Sequence, residues 1–304
     1  MDYAVIDLGS NSIRLSVYNC ENDQIHKTFS EKDVAGLAGY VAKGVLHGDG
    51  IQKACEVINH FKDSASRFVE PANVRLFATA SLRNIKNRDE AAKTIAEQTL
   101  LTPDILEGDE EAALGFAGVA RFMDCDNGIM IDIGGGSTEF VHFRDKQVVN
   151  LISLPIGCLN VSVKCVKKIV PSENERKQIK ALIKERFDGI DWAGTEKYPL
   201  LVGSGGTMRA VLKLSRALFD LPAQENGVQA SHVQTIDKLL RNNKDHIYST
   251  VYKAIPDRML TISTGLAILR QAIKTFGSET IKISQYGIRE GYLLDRVLKP
   301  DEES

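Results

Sequence analysis

The spacing of apolar and polar positions changes several times along the chain. The opening "YAVIDLGS" is an apolar run closed by an acid, glycine and serine, which predicts a strand ending in a tight turn. "SIRLSVYN" predicts a second strand after that turn, and an apolar run near 25–30 completes a meander. Over 50–69 the spacing becomes helical, with Ile51, Ala54, Val57, Ile58 and Phe61 on one face. "NVRLFATA" predicts a strand, "RDEAAKTIAEQTLL" a helix, and "PDILEG" a short strand before "DEEAALGFAGVARFM", a helix with an acidic first turn. Strands alternating with helices predict an α/β fold.

The opening pattern returns at mid-chain. "IMIDIGGGSTEF" (129–140) aligns with "AVIDLGSNSIRL" (4–15) at a constant offset, so that Asp7 matches Asp132, Gly9 matches Gly134 and Ser12 matches Ser137. Both copies run from an apolar strand through Asp and a glycine turn into a second apolar strand, which predicts two structurally related halves. Further on, "PSENERKQIKALIKERF" predicts a helix capped by Ser172 with Glu175 three residues later. "YPLLVGSGGTMRAVLKL" reads as strand, glycine turn and helix. "TGLAILRQAIKTFG" reads as a helix ended by Gly277, and "TIKISQYGIREGYLLDRVL" as a strand with a final helix over about 287–298. The tail "KPDEES" is expected to be disordered.

Composition narrows the class. With 304 residues and 43% hydrophobic content, the chain can bury a sizeable core and form two domains. A net charge of -2 gives no global field for nucleic acid or an anionic membrane, and leaves room for a local basic pocket for a small anion. The five cysteines form no CxxC pair, so no zinc or disulfide framework is readable, and scattered thiols fit a reduced compartment. No signal-peptide pattern opens the sequence and no apolar run is long enough to span a bilayer, so a cytoplasmic protein is expected.

The candidate chemistry lies in three glycine-rich turns, "DLGSN" (7–11), "DIGGGST" (132–138) and "GSGGT" (203–207), each following an apolar strand. Glycine lets backbone N–H groups converge on an anion without a Cβ in the way. Ser10, Ser137, Thr138 and Thr207 add hydroxyls, and Asp7 and Asp132 end their strands where a carboxylate can hold Mg²⁺. One glycine turn alone is often only a hairpin. Three, two of them related by the repeat, point to phosphate. No GxxxxGK[ST] sequence is present.

These motifs resemble the actin, hexokinase and chaperone-ATPase superfamily. "AVIDLGSNSIRLSVY", "ATASLRNIKNRDEA", "ILEGDEEAALGFAGV", "IDIGGGSTEF", "LVGSGGTMRAV" and "KISQYGIREGYLLD" occur in the order seen in the exopolyphosphatase/guanosine pentaphosphatase (Ppx/GppA) family, and the resemblance covers about residues 3–298. It implies two related ribonuclease-H-like (actin-like ATPase) α/β domains with an interdomain cleft, at the length of the short family members. The first domain would be 1–124, with the C-terminal helix 287–304 packing back on it, and the second 125–286. It implies hydrolytic release of terminal phosphate from inorganic polyphosphate or guanosine pentaphosphate, with Mg²⁺ or Mn²⁺, and a homodimer.

By this resemblance Glu111, just before Ala112, orients and deprotonates the attacking water. Read alone, it is more simply an acid favoured in the first turn of a helix. Phosphate would be cradled by Gly9, Ser10, Asn11 and Ser12, by Gly134, Gly135, Gly136, Ser137 and Thr138, and by Gly205, Gly206 and Thr207. Arg83, in a segment with Thr79, Ser81 and Asn87, supplies a guanidinium fork for phosphate oxygens. Asp7, Asp132 and Glu139 would hold the metal, and crowding by Asp132 and Glu139 would raise the Glu111 pKa, as suits a general base. Two family arginines are absent: "VAGLAGYVAKG" carries none, and Asn160 stands where the other falls, leaving Lys43, Lys164 and Lys167 as nearby cations. That departure keeps two other readings open, a polyphosphate/nucleotide phosphotransferase or sugar-kinase-like enzyme, and a non-catalytic protein that binds a guanosine alarmone or polyphosphate. Cys158 and Cys165 read as buried hydrophobes, His142 as a packed or exposed strand residue rather than a ligand, and "KCVKK" (164–168) as a solvated helix face or the edge of an anion cleft.

Overall fold

The computed structural model describes residues 1–21, 24–194, 196–242 and 246–299. Most of the tail expected to be disordered, 300–304, lies outside the described residues. The chain divides into two compact units, Met1–Gly108 and the segment from Asp109 onward.

In the first unit, β1 (Asp2–Leu8), β2 (Ile13–Glu21) and β3 (Gln24–Asp33) form the expected antiparallel meander. A small hairpin, β4 (Val41–Ala42) and β5 (Val45–Leu46), leads to α1 (Gly48–Ala65). β6 (Val74–Ala78) then adds parallel to β1, followed by the short α2 (Ala80–Arg83), by α3 (Arg88–Thr99) and by β7 (Asp104–Ile105). The sheet order is β3-β2-β1-β6-β7. The helical face of α1 read from the sequence is the buried one, and Ile51, Ala54, Val57, Ile58 and Phe61 pack on Ile6, Leu8 and Leu15 in one core.

The second unit repeats this plan. α4 (Gly108–Ala120) leads into β8 (Gly128–Ile133), β9 (Thr138–Arg144) and β10 (Gln147–Leu154), an antiparallel meander matching the first. After α5 (Cys158–Cys165) and α6 (Glu173–Phe187), β11 (Leu200–Ser204) joins parallel to β8, as β6 joins β1. The remaining elements are α7 (Gly205–Phe219), β12 (Gly227–Gln229), α8 (Ala230–Asn242), α9 (Ile247–Ala254), α10 (Ile262–Phe276), β13 (Thr280–Ile283) and α11 (Ile288–Tyr292), which continues into a π-helical turn over Leu293–Val297. The order is β10-β9-β8-β11-β13-β12. The internal repeat in sequence is therefore a repeat in topology.

Strand alternation sends successive side chains to opposite faces of this sheet. Ile129, Ile131 and Ile133 of β8 enter the larger core with α5, α6, α7, α8 and α10. Met130 faces the other way, into a smaller core with Ala112, Phe116 and Val119 of α4 and with Val141 and Val202. Asp132 shares the parity of Met130, and Glu139 that of Val141. The chain of parity alone puts both acids on the face covered by α4, the helix that carries Glu111.

α4 is fixed in turn by α11. A Cβ on Gly118 would overlap the Gly287 carbonyl oxygen, and one on Gly291 would overlap the Leu114 carbonyl. The two helices thus touch backbone to backbone, and Arg296 reaches Glu110 at 2.7 Å beside that contact.

Candidate active site

The central glycine turn is held from behind. Cys158 N–H donates to the Gly134 carbonyl at 2.9 Å, Leu159 and Asn160 N–H both donate to Gly135 at 3.0 Å, and Asn160 Nδ2 donates to Gly136 at 2.8 Å. All three glycine carbonyls are thereby turned onto the start of α5. The N–H groups of Gly135 and Gly136 have no backbone partner among the described residues, so they are left to serve an anion. Gly157 makes this packing possible, since a Cβ there would stand 2.5 Å from the Gly135 oxygen. Asn160 closes the brace by accepting from Gly157 N at 2.8 Å. Asn160 is thus committed to loop structure.

Three carboxyl groups gather beside the turn. Asp132 and Glu139 face each other across the β8–β9 register. Glu139 is buried and accepts from Ser153 Oγ at 2.8 Å. Burial, and then the negative charges of Glu111 and Asp132, push the Glu139 carboxyl well above the ordinary carboxylate range, against the lowering effect of Ser137 and Ser153. The sequence reading places the effect of crowding on Glu111; the carboxyl raised by burial and its neighbours is Glu139. Asp132 accepts from Ser204 Oγ at 2.6 Å, and its carboxylate occupies the space where any Cβ on residue 205 would sit. Gly205 also has φ +80°, a left-handed conformation that favours glycine, so both sterics and backbone require it at the start of α7.

Two expected phosphate donors are corrected. The Thr138 hydroxyl donates to the Ile156 carbonyl at 2.6 Å, and the Thr207 hydroxyl donates to Ile133 at 2.7 Å. Both protons are spent inside the protein, so these side chains brace the turn and present no donor to phosphate. Ser137 is buried beside Glu139.

In the first unit the opening turn is built similarly. Gly36 N–H donates to the Asn11 carbonyl and Ala38 N–H to the Ser10 carbonyl, each at 3.0 Å. Ser10, Asn11 and Ser12 are buried, and Asn11 Nδ2 is a buried donor without a partner. Such an orphan is costly unless a ligand accepts from it. Arg83 directs Nη1 to the Leu106 carbonyl at 2.9 Å. Ser81 donates to the Leu8 carbonyl, and Asn87 pairs with both backbone groups of Leu46 at 3.0 Å, so these two hold the local fold.

A group of arginines in the second unit was not legible from the sequence. Arg258 and Arg289 are buried, and Arg209 on α7 stands near both, with Asp132 and Glu290 as counter-charges. Burial, then the charge of Arg289, holds the Arg209 guanidinium below its ordinary range. Ser153, Gly157, Ser204 and Arg209 were also missed; only their pairing across strands and turns reveals them. His142, as expected, is a packed residue: it is buried, contacts the Tyr198 hydroxyl at 2.9 Å and stacks with Trp192. Cys158 and Cys165 are buried thiols.

Among the described residues no group of three or more His, Cys, Asp or Glu side chains is arranged to hold a metal by itself. Mg²⁺ does not need one. It commonly takes one or two carboxylates together with substrate phosphate oxygens and water. The partly exposed Asp132, with donors of an anion site beside it, fits that donor set.

A sheet with glycine-turn amides at the end of its central strands and acids on one face defines the class of the fold, an α/β protein with two related sheets. Residues 16–300 match the Ppx/GppA phosphatase family, and the chain belongs to it. The chain is 26% identical over 308 residues to a bifunctional 3-dehydroquinate synthase/phosphatase of Fusobacterium nucleatum, covering 97% of this chain and 46% of that protein. It is 28% identical to a guanosine-5'-triphosphate,3'-diphosphate pyrophosphatase of Vibrio cholerae, covering 97% of this chain and 59% of the relative. The chain thus spans about half the length of the curated relatives it matches. In structure it is similar to an exopolyphosphatase of Cytophaga hutchinsonii, with TM-score 0.83, 21% identity and 97% of each chain covered, which shows a shared fold. Among the described residues no helix is long and apolar enough to cross a membrane.

Proposed function

We propose that this protein hydrolyses a terminal phosphoanhydride bond, with guanosine pentaphosphate or inorganic polyphosphate as substrate. The observation that carries the reading is the set Glu111, Asp132 and Glu139 on one face of the sheet, beside a glycine turn whose amides are unspent. The amides of Gly135 and Gly136 hold the terminal phosphate, aided by those at the start of α7. Glu111 orients a water on the phosphorus and accepts its proton as the new P–O bond forms and the bridging P–O bond breaks. Burial and the charges of Glu111 and Asp132 raise the Glu139 carboxyl, the innermost acid of the set. Mg²⁺ or Mn²⁺ held by Asp132 would neutralise phosphate charge. The names of the Vibrio cholerae and Cytophaga hutchinsonii proteins support a phosphoanhydride substrate.

The test is phosphate release with Mg²⁺ from short polyphosphate, long polyphosphate and guanosine pentaphosphate, for wild type and Glu111→Ala. Loss of the water-activating group is expected to cost on the order of 10²–10⁴ in rate with binding retained. No release from any substrate, with binding intact, would overturn hydrolysis in favour of a binding protein.

A further inference from the structure

The second unit has a large groove away from the glycine turn. It has a volume of about 1040 Å³ and lies among α6, α8 and α10. Its lining includes six cationic side chains, Arg176, Lys177, Lys180, Arg241, Arg270 and Lys274, against two acids, Glu173 and Asp237. Both acids are already used. Asp237 is spanned by Arg241 and Arg270, and Glu173 pairs with Lys177 at 3.4 Å. Among the described residues Arg176, Lys180 and Lys274 make no ion pair.

Two buried donors in the same groove are also unmatched. Arg176 Nη2 and Ser263 Oγ are buried without a well-formed hydrogen bond. Both stand near the Tyr248 hydroxyl, which donates to the Leu240 carbonyl at 3.3 Å. Three cations without an ion-pair partner and two buried unmatched donors on one concave wall mark an anion site.

The lining also restricts the anion. No aromatic side chain is among the described residues that line the groove, so a nucleobase has no stacking platform. The lining follows α10 from Ser263 to Lys274, a span of about 16 Å at helical rise. That length suits a row of phosphates better than a single one. The groove and the glycine turn share a buried support: Thr264, next to Ser263, donates to the Cys158 carbonyl at 2.6 Å, and Cys158 N–H in turn holds Gly134 from behind.

We propose that this groove is a second, non-catalytic site that binds the body of a linear condensed-phosphate chain. The inference rests on the phosphate-chain reading above and specifies polyphosphate as the extended substrate. The groove tethers the chain distant from the bond being cut. It also supplies cations to a chain whose segment 34–44 carries no arginine and whose position 160 is Asn.

The test uses the full chain with labelled long polyphosphate and labelled tripolyphosphate, with binding followed by fluorescence anisotropy without turnover. Lys180→Glu combined with Lys274→Glu changes two exposed side chains outside the catalytic set. The double variant is expected to bind long polyphosphate roughly tenfold or more weakly at low salt, while tripolyphosphate binding and the circular-dichroism melt stay unchanged. Arg176→Ala should weaken long-chain binding in the same selective way. Equal binding of long chains by wild type and double variant, or no long-chain binding by wild type, would overturn the groove. Because binding is read without hydrolysis, loss of long-chain binding in the variant of a protein that releases no phosphate would uphold the groove and sink only the hydrolase reading.

Discussion

Asn160 shows how one side chain can replace a charge with a brace. Its two polar atoms bond Gly136 and Gly157 across the turn that offers amides to phosphate. Asn160→Ala is expected to destabilise the protein by about 1–3 kcal/mol, because it leaves a carbonyl and an amide without partners. Phosphate release should fall further than stability alone explains, and a thermal melt beside an initial-rate assay checks both. Asn160→Arg keeps neither bond and should likewise lose stability. A second residue-scale prediction concerns His142, whose imidazole is held below its ordinary range by burial and then by the charge of Arg144. Between its folded-state pKa and about 6.5 the unfolded chain binds more protons than the native one, so stability falls as pH drops through that window. Urea midpoints should decrease from pH 7.5 to pH 5.5 (roughly one unit to either side of the free imidazole value), and His142→Gln should flatten part of that slope. Residue type made the glycine turns and their acids legible from the sequence. It misassigned Thr138 and Thr207, because a threonine in a glycine turn reads the same whether its proton goes outward to phosphate or inward to Ile156 and Ile133.

Among the elements, the crossing of α4 and α11 matters most for chemistry, because α4 carries Glu111. Backbone contact between the two helices leaves no space for a β-carbon at Gly118 or Gly291. Gly291→Ala must therefore push the helices apart, at a cost of about 1–3 kcal/mol for overpacking. The same displacement moves Glu111 away from Asp132 and Glu139, so kcat should fall with little change in KM. Gly39→Ala is the control, since a Cβ there meets nothing within 4 Å, and it should stay within about 0.5 kcal/mol of wild type by chemical denaturation. Equal effects of the two substitutions would remove the crossing from the account of Glu111. Helix α4 itself was visible in the sequence, as were the glycines of "GFAGV" and "GIREGY". Their meeting was not, because about 170 residues of chain separate Gly118 from Gly291 and periodicity reports only neighbours along one element.

Across the whole molecule, the repeat of Asp7–Ser12 at Asp132–Ser137 was enough to forecast two units with one topology, and the sheets have it. The distribution of charge was far less legible. Arg176 and Lys180 on α6, and Arg270 and Lys274 on α10, each lie four residues apart and so share a helix face. Nothing in either segment says that the two faces line one groove. The net charge of -2 conceals it further, because a nearly neutral total contains a strongly basic groove. That arrangement has a measurable consequence for a polyanion. With no favourable long-range field from the molecule as a whole, capture of a long phosphate chain depends on close cations, and each one engaged releases counterions from the chain. The logarithm of the Kd for long polyphosphate should rise linearly with the logarithm of salt concentration. Lys180→Glu with Lys274→Glu should lower that slope by about two, one for each phosphate contact removed. Tripolyphosphate, too short to occupy groove and glycine turn together, should show the same slope in both proteins. If instead the long-chain slope is unchanged by the double substitution, the counterions are released at other cations, and the charge that holds the chain lies outside the groove.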